Sequence, residues 1–449
     1  MDKTRKFKIL GVGFGPANIA LAAALEESGL LKDAHFFERA KETTWQPGML
    51  INNSDIQNHP LRDLVTPRNP KSHYSFTNFL HVKGRLFEYL NTGLSYPYRI
   101  EYEQYVCWVA SHFKDHVSYG INISKIEPLF SESSKHDVIS GYRVIDQDGN
   151  AYECEHLVVA PGRTRYVPVE FEPLLSDRVV HLCDYLPAVT ELASGKLPER
   201  ICVIGGSQSA VELTADLADR FPLAKIHAVH RAYGFRQKDV SPFTNEVYFP
   251  EFVDEFYQAS DETRSSIRGD LHLTNYSSSD LDVLDALYRK IYVQKIQGKQ
   301  RIFLHRRSFA RPLITFDDGR THMAVCSRDR ADEVEMTFDL VVLATGFKDL
   351  GVGEGREKYP AVLSDLVRYS ELDRSGVIQV NRDYSVSLQT GYGGQAKCFL
   401  NGLCESTHGM GDAGSFSLLS LRSSEIIESI RSTENDVSAS MNGVKVDAA

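Results

Sequence analysis

Short apolar runs that end in glycine recur along this chain, and each is followed by a segment with helical spacing. Residues 7–12 form the first run, 16–28 carry apolar residues on one helical face, and 35–38 form a second run. Residues 200–231 repeat the pattern. Because strands alternating with helices build parallel sheets, the chain is predicted to be an α/β protein with two Rossmann-like dinucleotide-binding domains.

The first strand–helix turn contains three glycines, and the strand that follows its helix ends in an acidic residue. Gly11 allows a tight turn, Gly13 lets the backbone approach a pyrophosphate, and Gly15 precedes Pro16, which suits the first turn of a helix. Glu38 stands where the next strand should end, and a carboxylate there accepts hydrogen bonds from a bare ribose. These features predict a flavin dinucleotide site.

The second turn has a different chemistry. Gly205 is followed by Ser207, whose hydroxyl could bond a phosphate oxygen, and by Gln208 and Ser209 at the start of a helix. Arg231 follows the next strand, where a cation accommodates the extra phosphate of NADPH. One chain that holds FAD and NADPH together is predicted to be a redox enzyme.

The spacing of these units suggests domain boundaries. We expect an FAD-binding domain over 1–195, completed by 335–431, and an NADPH-binding domain over 196–334. Residues 235–300 have helical spacing around a polar patch, which predicts an inserted small helical substrate-binding subdomain. A further helix is expected from about 415 to 430, and the small, polar residues 432–449 are predicted to be disordered.

Composition narrows the class of protein. A net charge of −10 over 449 residues argues against nucleic acid or an anionic membrane as the main partner. The seven cysteines form no CxxC pair, which predicts free thiols and no metal site. The charged N-terminus has no apolar signal segment, and no apolar run is long enough for a membrane span, so we expect a cytoplasmic protein.

The combined motifs resemble the flavin-dependent N-hydroxylating monooxygenases, which act on L-ornithine or L-lysine in siderophore biosynthesis. The resemblance covers roughly residues 7–430 and is closer to the ornithine branch than to the lysine branch. The stretches that carry it are 11–22, 45–49, 61–65, 68–80, 241–246, 274–276, 344–347 and 407–410.

The resemblance implies roles for individual residues. Gln57 would lie beside the flavin ring, and Asn245 and Asn275 would contact the substrate amino acid. Arg62 and Ser415 would also contact the substrate, and Gln57, Arg62 and Asn275 are the implied catalytic residues. Further implied cofactor contacts are Trp45, Met49 and Leu61 at the flavin, Gln208 and Ser209 at the NADPH phosphates, Arg231 at the 2′-phosphate, and the turn at Thr345 and Gly346.

The implied reaction is N-hydroxylation of a primary amine. NADPH would reduce FAD, the reduced flavin would form a C4a-hydroperoxide with O2, and the neutral amine would take the distal oxygen. O2 and a small amine are the implied partners, and the resemblance also implies a homotetramer.

Two departures leave the substrate open. The family usually has lysine at the position of Arg62, and arginine adds bulk and a planar fork that suits carboxylates. The segment 412–420 carries one extra residue, so either Ser415 or Ser417 could replace the substrate-contacting serine of the family. Lysine, a diamine or a shorter amino acid therefore remains an alternative to ornithine.

Other flavoprotein classes fit less well. A different class B flavin monooxygenase would carry an FxGxxxHxxx[WY] signature, of which only the histidine and tyrosine of residues 181–185 are present. A disulfide reductase would need a CxxxxC pair after the first turn, and none occurs in the sequence.

Overall fold

The computed structural model describes residues 5–131, 138–412 and 414–443. Its strands are β1 (Arg5–Val12), β2 (Ala34–Glu38), β3 (Val117–Tyr119), β4 (Ile123–Phe130), β5 (Ile139–Asp146), β6 (Ala151–Val159), β7 (Val179–His181), β8 (Arg200–Ile204), β9 (Lys225–Val229), β10 (Ile302–His305), β11 (Ser308–Thr315), β12 (Thr321–Ser327), β13 (Glu333–Phe338), β14 (Leu340–Leu343), β15 (Asp349–Leu350), β16 (Arg356–Glu357) and β17 (Cys398–Leu400).

The α-helices connect these strands and cover the sheets. They are α1 (Pro16–Glu27), α2 (Phe76–Val82), α3 (Leu86–Thr92), α4 (Arg99–Ser111), α5 (Tyr185–Ser194), α6 (Gln208–Arg220), α7 (Pro250–Gln258), α8 (Asp261–Asp270), α9 (Leu281–Ile296), α10 (Glu405–His408) and α11 (Leu419–Gly443). Every helix in the described ranges is too short or too polar to cross a membrane.

The first sheet has the strand order β3-β2-β1-β6-β5-β4. Its β1, β2, β3 and β6 are parallel, and the hairpin β4–β5 adds antiparallel strands beside the first half of β6. The late strand β17 pairs in parallel with the second half of β6. Residues close to the C-terminus therefore complete the sheet that begins at residue 5.

The second sheet is wholly parallel and has the order β10-β9-β8-β14-β7. It contains β7, which lies before the predicted boundary at 195, and β14, which lies after the predicted boundary at 335. Apart from His181 both strands are apolar and buried, so apolar patterning did not reveal which of the two sheets they join. The second structural unit thus begins near residue 179 and extends to about 343.

The insertion predicted at 235–300 is helical and contains α7, α8 and α9. Helix α9 packs back against α6. The antiparallel sheet β11-β12-β13 covers one face of the second sheet, with Met323, Val325 and Phe338 buried between them.

The C-terminal helix differs from both predictions made for it. It begins at Leu419 rather than near 415, and it continues to Gly443 rather than ending at 430. The prediction of disorder is therefore wrong for residues 432–443, whereas 444–449 lie outside the described residues. Ile426, Ile427 and Ile430 are buried in the first core, so the start of this helix is held by tertiary packing that polar composition does not report.

Candidate active site

The first glycine turn lies at the carboxyl end of β1, where open α/β sheets bind ligands. A Cβ atom on Gly13, which has φ +87°, would lie 2.2 Å from the Ala160 carbonyl oxygen. Around Gly15 a Cβ would meet no atom of the described chain within 4 Å, and no described side chain caps α1. Pro16 occupies the first turn of this helix. The turn is therefore closed behind and open in front, which fits a pyrophosphate at the helix N-terminus.

Glu38 is already oriented by the backbone of this turn. Its Oε2 accepts a hydrogen bond from the Phe14 amide at 2.7 Å, and its Oε1 accepts one from the Ala40 amide at 2.8 Å. A carboxylate has about four acceptor positions, so two bonds leave room for ribose hydroxyls. Gly11 lies against the Phe36 ring, 2.1 Å from a hypothetical Cβ, and this close approach brings β2 and Glu38 up to the turn.

A buried polar network braces the turn from below, and the sequence reasoning missed it. Asn18 Nδ2 donates to the Gly13 carbonyl at 2.7 Å, and Asn401 Nδ2 donates to Asn18 Oδ1 at 3.0 Å. Arg422 Nε donates to Asn401 Oδ1 at 2.6 Å, and Arg422 is paired with Asp412 at 2.6 Å. Asn18 in an otherwise alanine- and leucine-rich helix was the available signal, whereas its partners almost 400 residues away were not predictable.

The second glycine turn is built in the same way but is less open. A Cβ on Gly205 would lie 2.4 Å from the Ala344 carbonyl oxygen. Within the part of the chain that the structure describes, the hydroxyls of Ser207 and Ser209 donate to no other residue, which leaves both available to phosphate oxygens. The backbone amide of Gln208 instead donates to the Ser278 carbonyl at 3.0 Å, so the insertion contacts the start of α6 directly.

The cationic position beside the second turn is exposed. Arg231 has 67% of its side chain exposed, and its guanidinium is 3.6 Å from Glu354 Oε1. His230 is buried between Phe235 and the glycine turn, with ring centroids 4.7 Å apart and a hypothetical Gly206 Cβ 3.5 Å from the His230 Cβ. An exposed guanidinium in this position suits an anionic group that binds reversibly.

The turn at Thr345 and Gly346 connects the two units. Thr345 Oγ1 donates to the Tyr166 carbonyl, and the Gly346 carbonyl accepts hydrogen bonds from the Tyr166 amide at 3.0 Å and from His181 Nε2 at 2.8 Å. The turn thus ties the segment after β6 to the end of β14.

The residues expected at the flavin do not share one environment. Trp45 packs edge-on against Tyr102 and Phe416 at 5.8 and 5.2 Å. Met49 is buried in the core of the second unit, and its carbonyl accepts from Arg99 Nη1 at 2.8 Å. Leu61 is 51% exposed. Trp45 and Met49 are thus held rigidly, whereas Leu61 is available to a ligand.

Gln57 and Gln208, expected at different cofactors, are joined through one acidic residue. Gln57 Nε2 donates to Asp280 Oδ2 at 2.6 Å, and the Asp280 amide donates to Gln208 Oε1 at 2.8 Å. The side-chain nitrogen Nε2 of Gln208 donates to Glu212 Oε1 at 2.9 Å. This geometry favours a linking role for Gln208 over the direct phosphate contact expected from the sequence.

The four residues expected at the substrate are linked through three intermediates, Tyr248, Asn58 and Ser417. The Arg62 guanidinium lies 5.7 Å from the Tyr248 ring centroid, and Tyr248 shares the short helix Thr244–Tyr248 with Asn245. The Tyr248 hydroxyl donates to the carbonyl of Thr274, the residue before Asn275, at 3.4 Å.

Ser415 reaches the same region from the C-terminal segment. Ser415 Oγ donates to Ser417 Oγ at 2.8 Å, and Ser417 Oγ donates to Asn58 Oδ1 at 3.2 Å. Asn58 Nδ2 in turn donates to the Arg62 carbonyl at 2.6 Å. Ser417 is buried and bonded on both sides, which favours Ser415 as the serine available to a substrate.

Ionisable groups crowd this region. Burial, together with Asp280 and Glu212, raises the pKa of Asp55 to about 6. Burial lowers the pKa of Lys238, against the attraction of Asp280 and Asp55. A low-dielectric region of this kind favours the neutral forms of the groups that enter it.

A second cluster lies beside Asn275. Tyr276 donates a hydrogen bond to Glu405, and Arg163 is paired with Asp349 at 2.6 Å and lies 6.0 Å from the Tyr276 ring centroid. Burial, together with Asp349, raises the pKa of Glu405 to about 7. These side chains were not predicted, and they fix the loop that carries Asn275.

Two glycine-turn units in one chain, one beside a carboxylate and the other beside an arginine, define a two-dinucleotide oxidoreductase fold. Residues 5–349 match the family model for L-lysine 6-monooxygenase/L-ornithine 5-monooxygenase, and the chain belongs to this family.

Individual relatives agree along almost the whole chain. An L-ornithine N(5)-monooxygenase from Burkholderia cepacia is 36% identical over 422 residues, which cover 91% of each chain. The ornithine N-hydroxylase of Kutzneria sp. 744, solved with reduced FAD, NADP+ and L-ornithine, superposes with a TM-score of 0.87 at 30% identity, covering 96% of this chain and 100% of that one. An L-lysine 6-monooxygenase from Pseudomonas syringae superposes with a TM-score of 0.82 at 30% identity, covering 95% and 99%.

These findings confirm the predicted family, the α/β fold class and the assignment to the monooxygenases. The roles of the individual site residues remain predictions that the geometry supports to different degrees.

Proposed function

We propose that this chain is an FAD- and NADPH-dependent monooxygenase that hydroxylates the side-chain amine of L-ornithine, for the biosynthesis of a siderophore or a related natural product. The family and the ornithine enzymes among its relatives support this activity. The structural observation that carries it is the linkage of Arg62, Asn245, Asn275 and Ser415 into one region of the structure.

The two cofactors divide between the two units. FAD binds at Gly11, Gly13 and Gly15, with its ribose on Glu38. NADPH binds at Gly205, Ser207 and Ser209, with Arg231 at its 2′-phosphate. These assignments follow from the two helix N-termini and from the charges of Glu38, which ends β2, and Arg231, which lies just after β9.

Bound FAD, once reduced by NADPH, supplies the chemistry that activates O2. The chain contributes placement and a dry environment. Arg62 holds the substrate carboxylate, Asn245 and Asn275 orient the amino acid, and Gln57 faces the reacting nitrogen. Oxygen transfer needs a neutral amine, and desolvation among partly buried residues such as Tyr248 favours loss of the ammonium proton.

Arg62 supports a second candidate substrate class. Its planar guanidinium packs beside Tyr248 and reaches further than the lysine that is usual in the family. A longer cation would bring the carboxylate closer to the reacting centre, which favours a shorter amino acid, whereas a diamine would leave the cation unpaired.

The decisive experiment measures NADPH oxidation by the FAD-loaded protein with L-ornithine, L-lysine, a shorter diamino acid and diamines. Hydroxylamine product and hydrogen peroxide are quantified separately. The proposal predicts that ornithine gives the highest ratio of hydroxylamine to peroxide. Peroxide alone with every amine would refute the N-hydroxylase assignment, and a sulfide or ketone oxidised instead would favour another class B monooxygenase.

Exchange of Arg62 for Lys tests the choice between substrates. If Arg62 sets the length of the pocket, Arg62→Lys shifts kcat/KM towards the longer amino acid by about tenfold. An unchanged order of substrates would show that this position does not determine specificity. A cytoplasmic location and a homotetramer remain predictions from the sequence and from the resemblance.

A further inference from the structure

Asp280 occupies a helix N-cap but does not act as a capping residue. It directly precedes α9, where an aspartate normally accepts a hydrogen bond from an amide of the first turn. Among the described residues its carboxylate makes no such bond and instead accepts from Gln57 Nε2 at 2.6 Å, across 223 positions of sequence. The Asp280 side chain therefore makes a long-range hydrogen bond in place of a cap on α9.

This contact determines which way the Gln57 amide faces. A carboxylate only accepts hydrogen bonds, so the NH2 group of Gln57 must point to Asp280 and its Oε1 must point away. The Gln57 backbone is fixed separately, because its amide donates to Asp55 Oδ1 at 2.9 Å and its φ is +53°. Only the orientation of the side-chain amide depends on Asp280.

Asp280 also contacts the nucleotide helix of the second unit. Its amide donates to Gln208 Oε1 at 2.8 Å, and Gln208 Nε2 donates to the buried Glu212. Glu212 is paired with Arg99 at 3.1 Å, and Arg99 Nη2 donates to the Asp55 carbonyl at 3.1 Å. The hydrogen bonds thus form a closed circuit between the start of α6 and the loop that carries Gln57.

We propose that Asp280 is a positioning residue for N-hydroxylation, which holds Gln57 Oε1 towards the reacting amine and ties that orientation to the NADPH-binding helix. This inference rests on the proposed function. Without the carboxylate, the Gln57 amide is free to turn over. Reduction of the flavin and uptake of O2 would continue, while less oxygen would reach the amine and more would leave as hydrogen peroxide.

Three variants separate positioning from stability. Asp280→Ser retains a capping side chain for α9 but is too short to reach Gln57. Asp280→Asn retains the size of the side chain, but its amide both accepts and donates hydrogen bonds, so it can pair with either orientation of the Gln57 amide. Asp282→Ala, an exposed acidic residue in the first turn of the same helix, is the matched control. Each is prepared as the holoenzyme, and its FAD content, thermal unfolding midpoint and dissociation constant for NADP+ are measured first.

The serine variant should match the wild type in FAD content and unfolding midpoint, while its ratio of peroxide to hydroxylamine rises about tenfold. Asp280→Asn should lose part of the coupling, because it no longer selects one orientation of the Gln57 amide. Asp282→Ala should behave as the wild type. In crystals of the holoenzyme with NADP+, the Gln57 amide should adopt one orientation in the wild type and more than one in Asp280→Ser.

Wild-type coupling in a folded Asp280→Ser variant would overturn the proposal. If the serine variant does not fold, a comparison of Gln57→Ala with the double variant Gln57→Ala/Asp280→Asn decides the matter. The proposal requires equal coupling in these two, and an additional loss in the double variant would contradict it. If the wild type hydroxylates no amine at all, the proposed function fails, and the crystallographic orientation of Gln57 still tests the role of Asp280.

Discussion

The two glycine turns share a plan and differ in what surrounds them. At the first, Glu38 is held by two backbone amides and the turn rests on the buried pair of Arg422 and Asp412. At the second, Arg231 is largely exposed beside an equally exposed Glu354, and the start of α6 contacts the helical insertion.

The first site is built for a cofactor that stays bound, and the second is built for one that exchanges in each turnover. A preorganised site loses little entropy on binding and retains its ligand, whereas an exposed cation binds with less energy and releases readily. The first unit should hold FAD through many turnovers, and the second should bind NADPH and release NADP+. Three predictions test this contrast, and a fourth tests the loop that carries Asp55 and Gln57.

The largest effect is expected from Gly13→Ala. A Cβ there would lie 2.2 Å from the Ala160 carbonyl oxygen, on a backbone with φ +87°, so the turn cannot close without displacing β6. The protein should purify without FAD or fail to fold, as judged by flavin absorbance and the thermal unfolding midpoint. Gly269→Ala is the control, because Gly269 lies in α8 and its Cβ would meet no described atom within 4 Å. Full FAD content in Gly13→Ala would contradict the account.

Replacement of Glu38 by Ala should weaken FAD binding by about 100-fold. The change removes the ribose acceptor and leaves the amides of Phe14 and Ala40 without their partner. Titration of the apoprotein with FAD measures the loss, and NADP+ affinity serves as the internal reference. Equal weakening of both nucleotides would indicate general damage rather than a ribose contact.

The second unit should respond more mildly. Arg231→Ala should weaken NADPH binding by roughly tenfold and leave NADH unchanged, because an exposed guanidinium contributes only through the 2′-phosphate. Steady-state KM values for both reductants provide the test, with Arg328→Ala as the nearby cationic control. A similar loss for NADPH and NADH would refute the assignment.

The smallest effect concerns the loop that carries Asp55 and Gln57. Burial, with repulsion from Asp280 and Glu212, raises the pKa of Asp55 to about 6, so the folded state binds a proton that the unfolded state releases at lower pH. The stability from this proton is complete below about pH 4 and is lost as the pH rises through about 6.

Asp55→Asn removes this dependence. Its stability relative to the wild type should therefore increase by roughly 1 kcal/mol between about pH 4 and pH 7, since solvent screens a partly exposed carboxyl. Urea unfolding of both proteins at several pH values measures the difference. A constant difference across this range would show that Asp55 titrates normally.

Local pattern predicted much of this molecule. Both glycine turns, their helices and the acidic and basic positions after them follow short-range rules, because a strand, a tight turn and a helix each depend on neighbouring residues. The predicted insertion is helical for the same reason. The boundaries at 195 and 335 were missed, because buried and mostly apolar strands such as β7 and β14 do not indicate locally which sheet they join.

The amino-acid sequence by itself determined the two nucleotide signatures, the opposite charges of Glu38 and Arg231 that follow them, and the family. Only the tertiary structure decided that Asp280 faces Gln57, that Asn401 and Arg422 support the first turn, and that Ser415 reaches the region of Arg62. These contacts join residues tens to hundreds of positions apart. Long-range partners are selected by the packing of whole elements, and no local spacing records that selection.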